Sequence, residues 1–148
     1  MLRQASLHVV LAAALIAATA CARPQKSAQG FHLPDGDPRR GREVFVAMRC
    51  HACHAVPFDQ ELPTPVADPP VPVLLGGVVI QARTDGELAA AIVDPSHRIA
   101  SGFRPEEVRS GRLSRMGEFG ESLTVRELVD LVAYLQSRYE VREPAVTP

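Results

Sequence analysis

The run Cys50-His51-Ala52-Cys53-His54 leaves the chain few choices. Two cysteines three apart, with a histidine directly after the second, make a redox dithiol, half of a zinc site, or a covalent haem attachment. Each demands a different setting. A structural zinc site needs two ligand pairs. After His54 there is no further cysteine, and His97 is the only histidine downstream. A thioredoxin-like dithiol sits at the end of a strand and opens a helix in a mixed sheet. Here a helical pattern precedes the motif and no convincing strand is visible. The haem reading uses all three residues. Each thiol adds across a vinyl group, and the histidine becomes the proximal iron ligand.

The pattern around the motif is helical. Asp37-Pro38 reads as an N-cap followed by proline at the first helical position. It opens "PRRGREVFVAM", with Val44, Phe45 and Met48 on one face. Thr84 and Glu87 form a capping box for "ELAAAIVDP", with Leu88, Ala91 and Ile92 inward and a stop before Pro95. Thr124 and Glu127 form a second box. It starts "VRELVDLVAYLQSRY", where Val125, Leu128, Leu131, Val132 and Leu135 follow the helical period. Arg126, Glu127, Asp130 and Gln136 fall on the outer side. Between the motif and the second helix lie six prolines from Pro57 to Pro72, which exclude a regular helix or an interior strand there. The expectation is an all-α domain of three to four helices.

With 148 residues the chain holds one domain. It has no tryptophan and 5% aromatic residues, a small core of the kind that needs a disulfide, metal or cofactor to hold it. The net charge of −1 carries no nucleic-acid signature, so no nucleic-acid partner is expected.

Residues 1–20 read as a signal peptide. Arg3 supplies the positive start, and "VVLAAALIAATA" has the length of an export segment and is too short to span a bilayer. Ala18-Thr19-Ala20-Cys21 fits cleavage after Ala20, and it also resembles a bacterial lipobox in which Cys21 becomes the lipidated N-terminus. Lipidation gives Cys21 a role, since an unmodified thiol would stand alone in an oxidising compartment. Residues 21–36 then read as a flexible tether of about 20 Å, residues 37–140 as the domain, and 141–148 as a disordered tail. On this reading the protein is exported and membrane-anchored by lipid.

At this point the sequence resembles a family. "GDPRRGREVFVAMRCHACHAV" is similar to the opening of class I cytochromes c, with Gly41 and Phe45 at the family's glycine and aromatic positions. "ELVDLVAYLQSR", with its aromatic Tyr134, resembles the family's C-terminal helix. The resemblance spans about residues 36 to 140. One extra residue separates Phe45 from Cys50 relative to the mitochondrial-type spacing, and a bulged helix end is expected there.

The resemblance implies a cytochrome c fold around one covalently bound haem c. The two terminal helices cross, and Gly41 lets them approach. It implies thioether bonds at Cys50 and Cys53, with His54 as proximal ligand. A proline carbonyl after the motif is implied to accept the His54 Nδ1 proton. Pro72, in Pro72-Val73-Leu74-Leu75-Gly76, fits that place, with Pro70 and Pro69 as alternatives. The distal ligand is implied to be a methionine before the last helix. After signal removal only Met48 and Met116 remain, and Met48 belongs to the helix feeding the proximal side. Met116 is therefore expected to ligate, with Phe119 shielding it. Gly117 stands where the family often has proline. His97 is the alternative ligand.

Around this site Leu74, Val78, Val79, Ile80, Leu88 and Ile92 are expected to line the haem crevice. Arg83 is expected to reach a propionate. Tyr134 is read as helix packing. Residues 96–116 carry Arg98, Arg104, Arg109, Arg112 and Arg115 against Glu106 and Glu107, a local net of +3. They form either a solvated loop or a basic rim for an acidic redox partner. The implied function is one-electron transfer between redox partners. The alternatives are an electron-accepting subunit of a periplasmic dehydrogenase or oxidase, and a haem-based gas sensor.

Overall fold

The computed structural model describes residues 31–65 and 73–142. Residues 1–30, which include the segment read as a signal peptide and Cys21, lie outside them, as do Pro69, Pro70, Pro72 and the last six residues.

Helix α1 spans Pro38–Ala47 and starts as its sequence dictates. The Asp37 side chain accepts from the Arg39 and Arg40 N–H groups, and Pro38 takes the first helical turn, where no donor is needed. Helix α1 ends in a cap at Met48, and Arg49 turns left-handed at φ 58°. Its N–H donates to the Val46 carbonyl at 2.9 Å. A non-glycine residue holds this conformation at some cost. Arg49 is thus the break between α1 and the cysteine motif.

The remaining elements follow in order: a single 3-10 turn at Cys50–Ala52, strand β1 (Gly77–Val79), helix α2 (Asp85–Val93), helix α3 (Pro105–Val108), strands β2 (Arg109–Ser110) and β3 (Leu113–Ser114), helix α4 (Val125–Gln136) and strand β4 (Tyr139–Val141). Both expected capping boxes form. Thr84 and Thr124 each accept from the backbone N–H of the glutamate three residues on, which reaches back to the threonine.

The core is built on α1 crossing α4. Phe45 and Tyr134, both fully buried, meet with ring centroids 5.4 Å apart and planes at 56°. The backbones come so close that a Cβ on Gly41 would lie 1.9 Å from the Asp130 carbonyl oxygen. One on Gly36 would lie 2.5 Å from that of Val129. Leu88, Ala89 and Ile92 of α2 belong to the same buried cluster.

Several expectations need correction. The domain is mostly helical and not purely so. Strands β1 and β4 pair in parallel, with Gly77 opposite Tyr139 and Val79 opposite Val141, and β2 and β3 form a two-residue antiparallel ladder. These strands are too short to show an alternating pattern in sequence. On α2 the inward alanine is Ala89, while Ala91 is exposed. On α4 Val125, at the first helical position, is 77% exposed.

Asp130, expected outside, is buried. It accepts the Asp37 N–H at 2.8 Å, and Arg40 Nε lies 3.2 Å from its other oxygen. A buried carboxylate is tolerable when its oxygens are so occupied. The segment read as tether is packed from Leu33, which joins the core. Order also continues past residue 140: Val141 is in β4, and the Arg142 N–H donates to the Val79 carbonyl.

Candidate functional site

The 3-10 turn at Cys50–Ala52 sets out the two cysteines. The Cys53 and His54 N–H groups both donate to the Cys50 carbonyl, at 3.2 and 3.0 Å. One turn of chain thus separates Cys50 from Cys53, which caps it. Both thiols are free, Cys50 half-buried and Cys53 exposed. Burial pushes the Cys50 thiol up to about 11. A redox dithiol works through a cysteine with a lowered value, and this one is shifted the opposite way. Among the described residues, no three side chains of histidine, cysteine or acid cluster as a metal ion would require. The haem reading uses both thiols and the histidine that follows them.

His54 carries the clearest geometry. Its Nδ1 lies 3.0 Å from the Val73 carbonyl oxygen. A carbonyl only accepts, so Nδ1 holds the proton and donates it, which leaves the Nε2 lone pair free for a metal. Burial holds the imidazole below its usual value, partly opposed by the Val73 bond. The ring is therefore neutral at pH 7, as a metal ligand must be. The carbonyl belongs to Val73, so the role expected of Pro72 falls one residue later. Only the backbone is used, and no side-chain signal could have marked it. The Leu75 N–H donates to the Ala55 carbonyl at 3.0 Å and holds this segment alongside the motif.

Large apolar side chains stand uncovered nearby in sequence. Leu74, next to Val73, is 61% exposed, and Ile80 is 74% exposed. Two thiols a turn apart, a neutral imidazole with its tautomer fixed, and exposed leucine and isoleucine fit a covalently attached haem. Val78 is likewise exposed and Val79 half-buried, whereas Leu88 and Ile92 lie in the protein core.

The remaining expected residues are placed as follows. Met116 is half-buried, and its N–H donates to Ser114 Oγ at 3.1 Å. Phe119 packs against the core cluster. His97 is exposed, in a turn closed by its N–H bond to Asp94. Arg83 points to Glu87, with 3.7 Å between Nη1 and Oε1.

Tyr134 is a packing residue with a hydrogen-bonding end. Its hydroxyl donates to Asp59 Oδ2 at 2.8 Å, and Arg42 Nε donates to the same oxygen at 2.8 Å. Asp59 escaped the sequence reading because nothing local marks it. Its partners lie 17 and 75 residues away.

The family model described as Cytochrome c matches residues 38–138. No curated protein matches the chain, and no solved structure does.

Proposed function

We propose that this chain, which belongs to the cytochrome c family, carries electrons one at a time on the exported side of a bacterial membrane with a single haem. Family membership supports a c-type electron carrier with covalently bound haem. The observation that carries the reading is the His54–Val73 bond, made by the residue that follows the two-cysteine turn.

Haem supplies the redox chemistry, with its iron alternating between ferric and ferrous. Cys50 and Cys53 hold it by thioether bonds. His54 would ligate the iron through Nε2, which the Val73 carbonyl leaves unprotonated by taking the Nδ1 proton as its hydrogen bond. Met116 would supply its sulfur as the second protein ligand. A soft thioether favours the ferrous state and raises the potential relative to two histidines. Leu74 and Ile80, exposed in this chain, would be covered by the haem and would help to exclude water. The partner is a redox protein with an acidic surface, met by the arginines of residues 98–115. Lipid on Cys21 holds the domain at the membrane.

The mass of the mature protein tests the attachment. It should exceed the polypeptide by one haem, and the haem should resist acid-acetone extraction. Cys50→Ala with Cys53→Ala should abolish both properties, and haem that extracts freely from the wild type would overturn the reading. For the anchor, Cys21→Ser should move the protein from the membrane fraction to the soluble one. An unmodified Cys21 at the mature N-terminus would leave an unanchored carrier.

A further inference from the structure

The loop before α4 lacks the proline that would stiffen it after Met116, and Gly117 in its place is exposed with nothing near it. Chain freedom is greatest at such a glycine. Something else must therefore hold Met116 still if its sulfur is to stay on a metal. Two hydrogen bonds supply that hold. The Met116 N–H donates to Ser114 Oγ at 3.1 Å, and the Ser114 N–H donates to Ser96 Oγ at 3.1 Å. Ser96 follows the buried Pro95, just beyond the end of α2, whose Ile92 is in the core.

Ser114 is itself fixed on its other side. It sits in β3 opposite Arg109 of β2, and the Arg115 N–H donates to the Val108 carbonyl at 2.9 Å. Both serines are half-buried, so water competes only in part for these bonds.

We infer that Ser114 and Ser96 form a clasp that positions Met116, doing by side-chain hydrogen bonds what a proline at position 117 would do by covalent restraint. The inference rests on Met116 being the distal ligand. The hydroxyl of Ser114 holds the Met116 backbone, and Ser96 ties Ser114 to the α2 end of the core. Neither serine touches the iron. Each acts only through Met116.

The experiment is imidazole titration of the ferric, haem-bearing protein, followed by loss of the sulfur-to-iron absorption band. An external ligand binds only when the methionine is off, so its apparent affinity reports the open fraction. Ser114→Ala should raise that affinity about fivefold, the factor that one ordinary hydrogen bond gives. Ser114→Thr, which keeps the hydroxyl, should stay near wild type. Ser96→Ala should shift affinity the same way by less, and it decides the matter alone if Ser114→Ala does not fold. Met116→Ala sets the ceiling and separates the two ideas. If it removes the band while both serine variants bind imidazole as the wild type does, the clasp is wrong. If Met116→Ala leaves the band and the affinity unchanged, the ligand assignment fails, and the clasp falls with it.

Discussion

Asp59 joins three parts of the chain at one carboxylate. Arg42 of α1 and Tyr134 of α4 both donate to it, so the loop leaving the haem motif is tied to both crossing helices. The Arg138 guanidinium lies over the Tyr134 ring, 5.1 Å from its centroid, and covers the same junction. Burial raises the Asp59 carboxyl, but the Arg42 and Tyr134 bonds outweigh burial and hold it below the usual aspartate value. A folded value below the unfolded one stabilises the protein above the unfolded value of about 3.9, and the stabilisation is lost as pH falls below that point. Urea unfolding of the haem-bearing protein should show this loss as pH falls from about 5 to about 2, with little change between pH 7 and about 5. In Asp59→Asn part of the acid dependence should vanish. Tyr134→Phe should cost about 1.5 kcal/mol at pH 7, since the lost hydrogen bond has a charged acceptor. Equal acid sensitivity in the wild type and Asp59→Asn would show that the network contributes no pH-dependent stability.

The crossing of α1 and α4 is the element on which the site depends, because α1 leads directly into the cysteine turn. Its closeness is decided at Gly41. An alanine there would push its Cβ against the Asp130 backbone, which cannot swing aside as a side-chain tip can. Gly41→Ala should therefore destabilise by about 3 kcal/mol, at the upper end for overpacking. Arg39→Ala, on the solvent side of α1, should stay within about 0.5 kcal/mol. A Gly41→Ala protein that unfolds at the wild-type urea concentration would mean that the helices can part at no cost. The Asp130 carboxylate adds a second tie at the same crossing by accepting the N–H of the α1 cap residue. Parallel pairing of β4 with β1 then brings the chain after α4 back to the segment that follows the haem motif.

On the scale of the whole molecule, the arginines divide into two sets. Arg98 faces Glu87 at 3.3 Å, and Arg104 faces Glu107 at 2.8 Å, so their charge is offset locally. Arg109 and Arg112 are exposed and pair with no carboxylate among the described residues. They flank the β2–β3 turn, beside Leu113, which is 61% exposed. The hairpin leads directly to Met116, so these arginines are the ones we expect an acidic partner to meet. Exposed charges are screened beyond about 8 Å at physiological salt. Reduction by a small anionic iron chelate should therefore be faster than by a cationic one of similar potential, and the difference should shrink as salt rises. Arg109→Glu with Arg112→Glu should slow the anionic reaction about tenfold at low salt. Equal rates for the two reagents, flat across salt, would leave the arginines as solvated surface.

What the sequence determined by itself was the local part. Cys50, Cys53 and His54 are chemical types at fixed short spacing, and Asp37-Pro38 and the two Thr–Glu boxes close their bonds within a turn. Side-chain identity and a separation of three or four residues were enough to place them. The tertiary structure decided the rest. It gave the Nδ1 proton of His54 to Val73, 19 residues on, through a backbone oxygen that every residue type carries. It buried Asp130, because the Asp37 N–H arrives from 93 residues away to satisfy it. It turned Ala89 inward where the helical pattern pointed to Ala91, since the two side chains are identical and only packing chooses which one is covered. It paired Gly77 with Tyr139 in strands too short to be read from alternation. These contacts join residues far apart along the chain through backbone groups or side chains that look alike, so only the packed fold could choose among them.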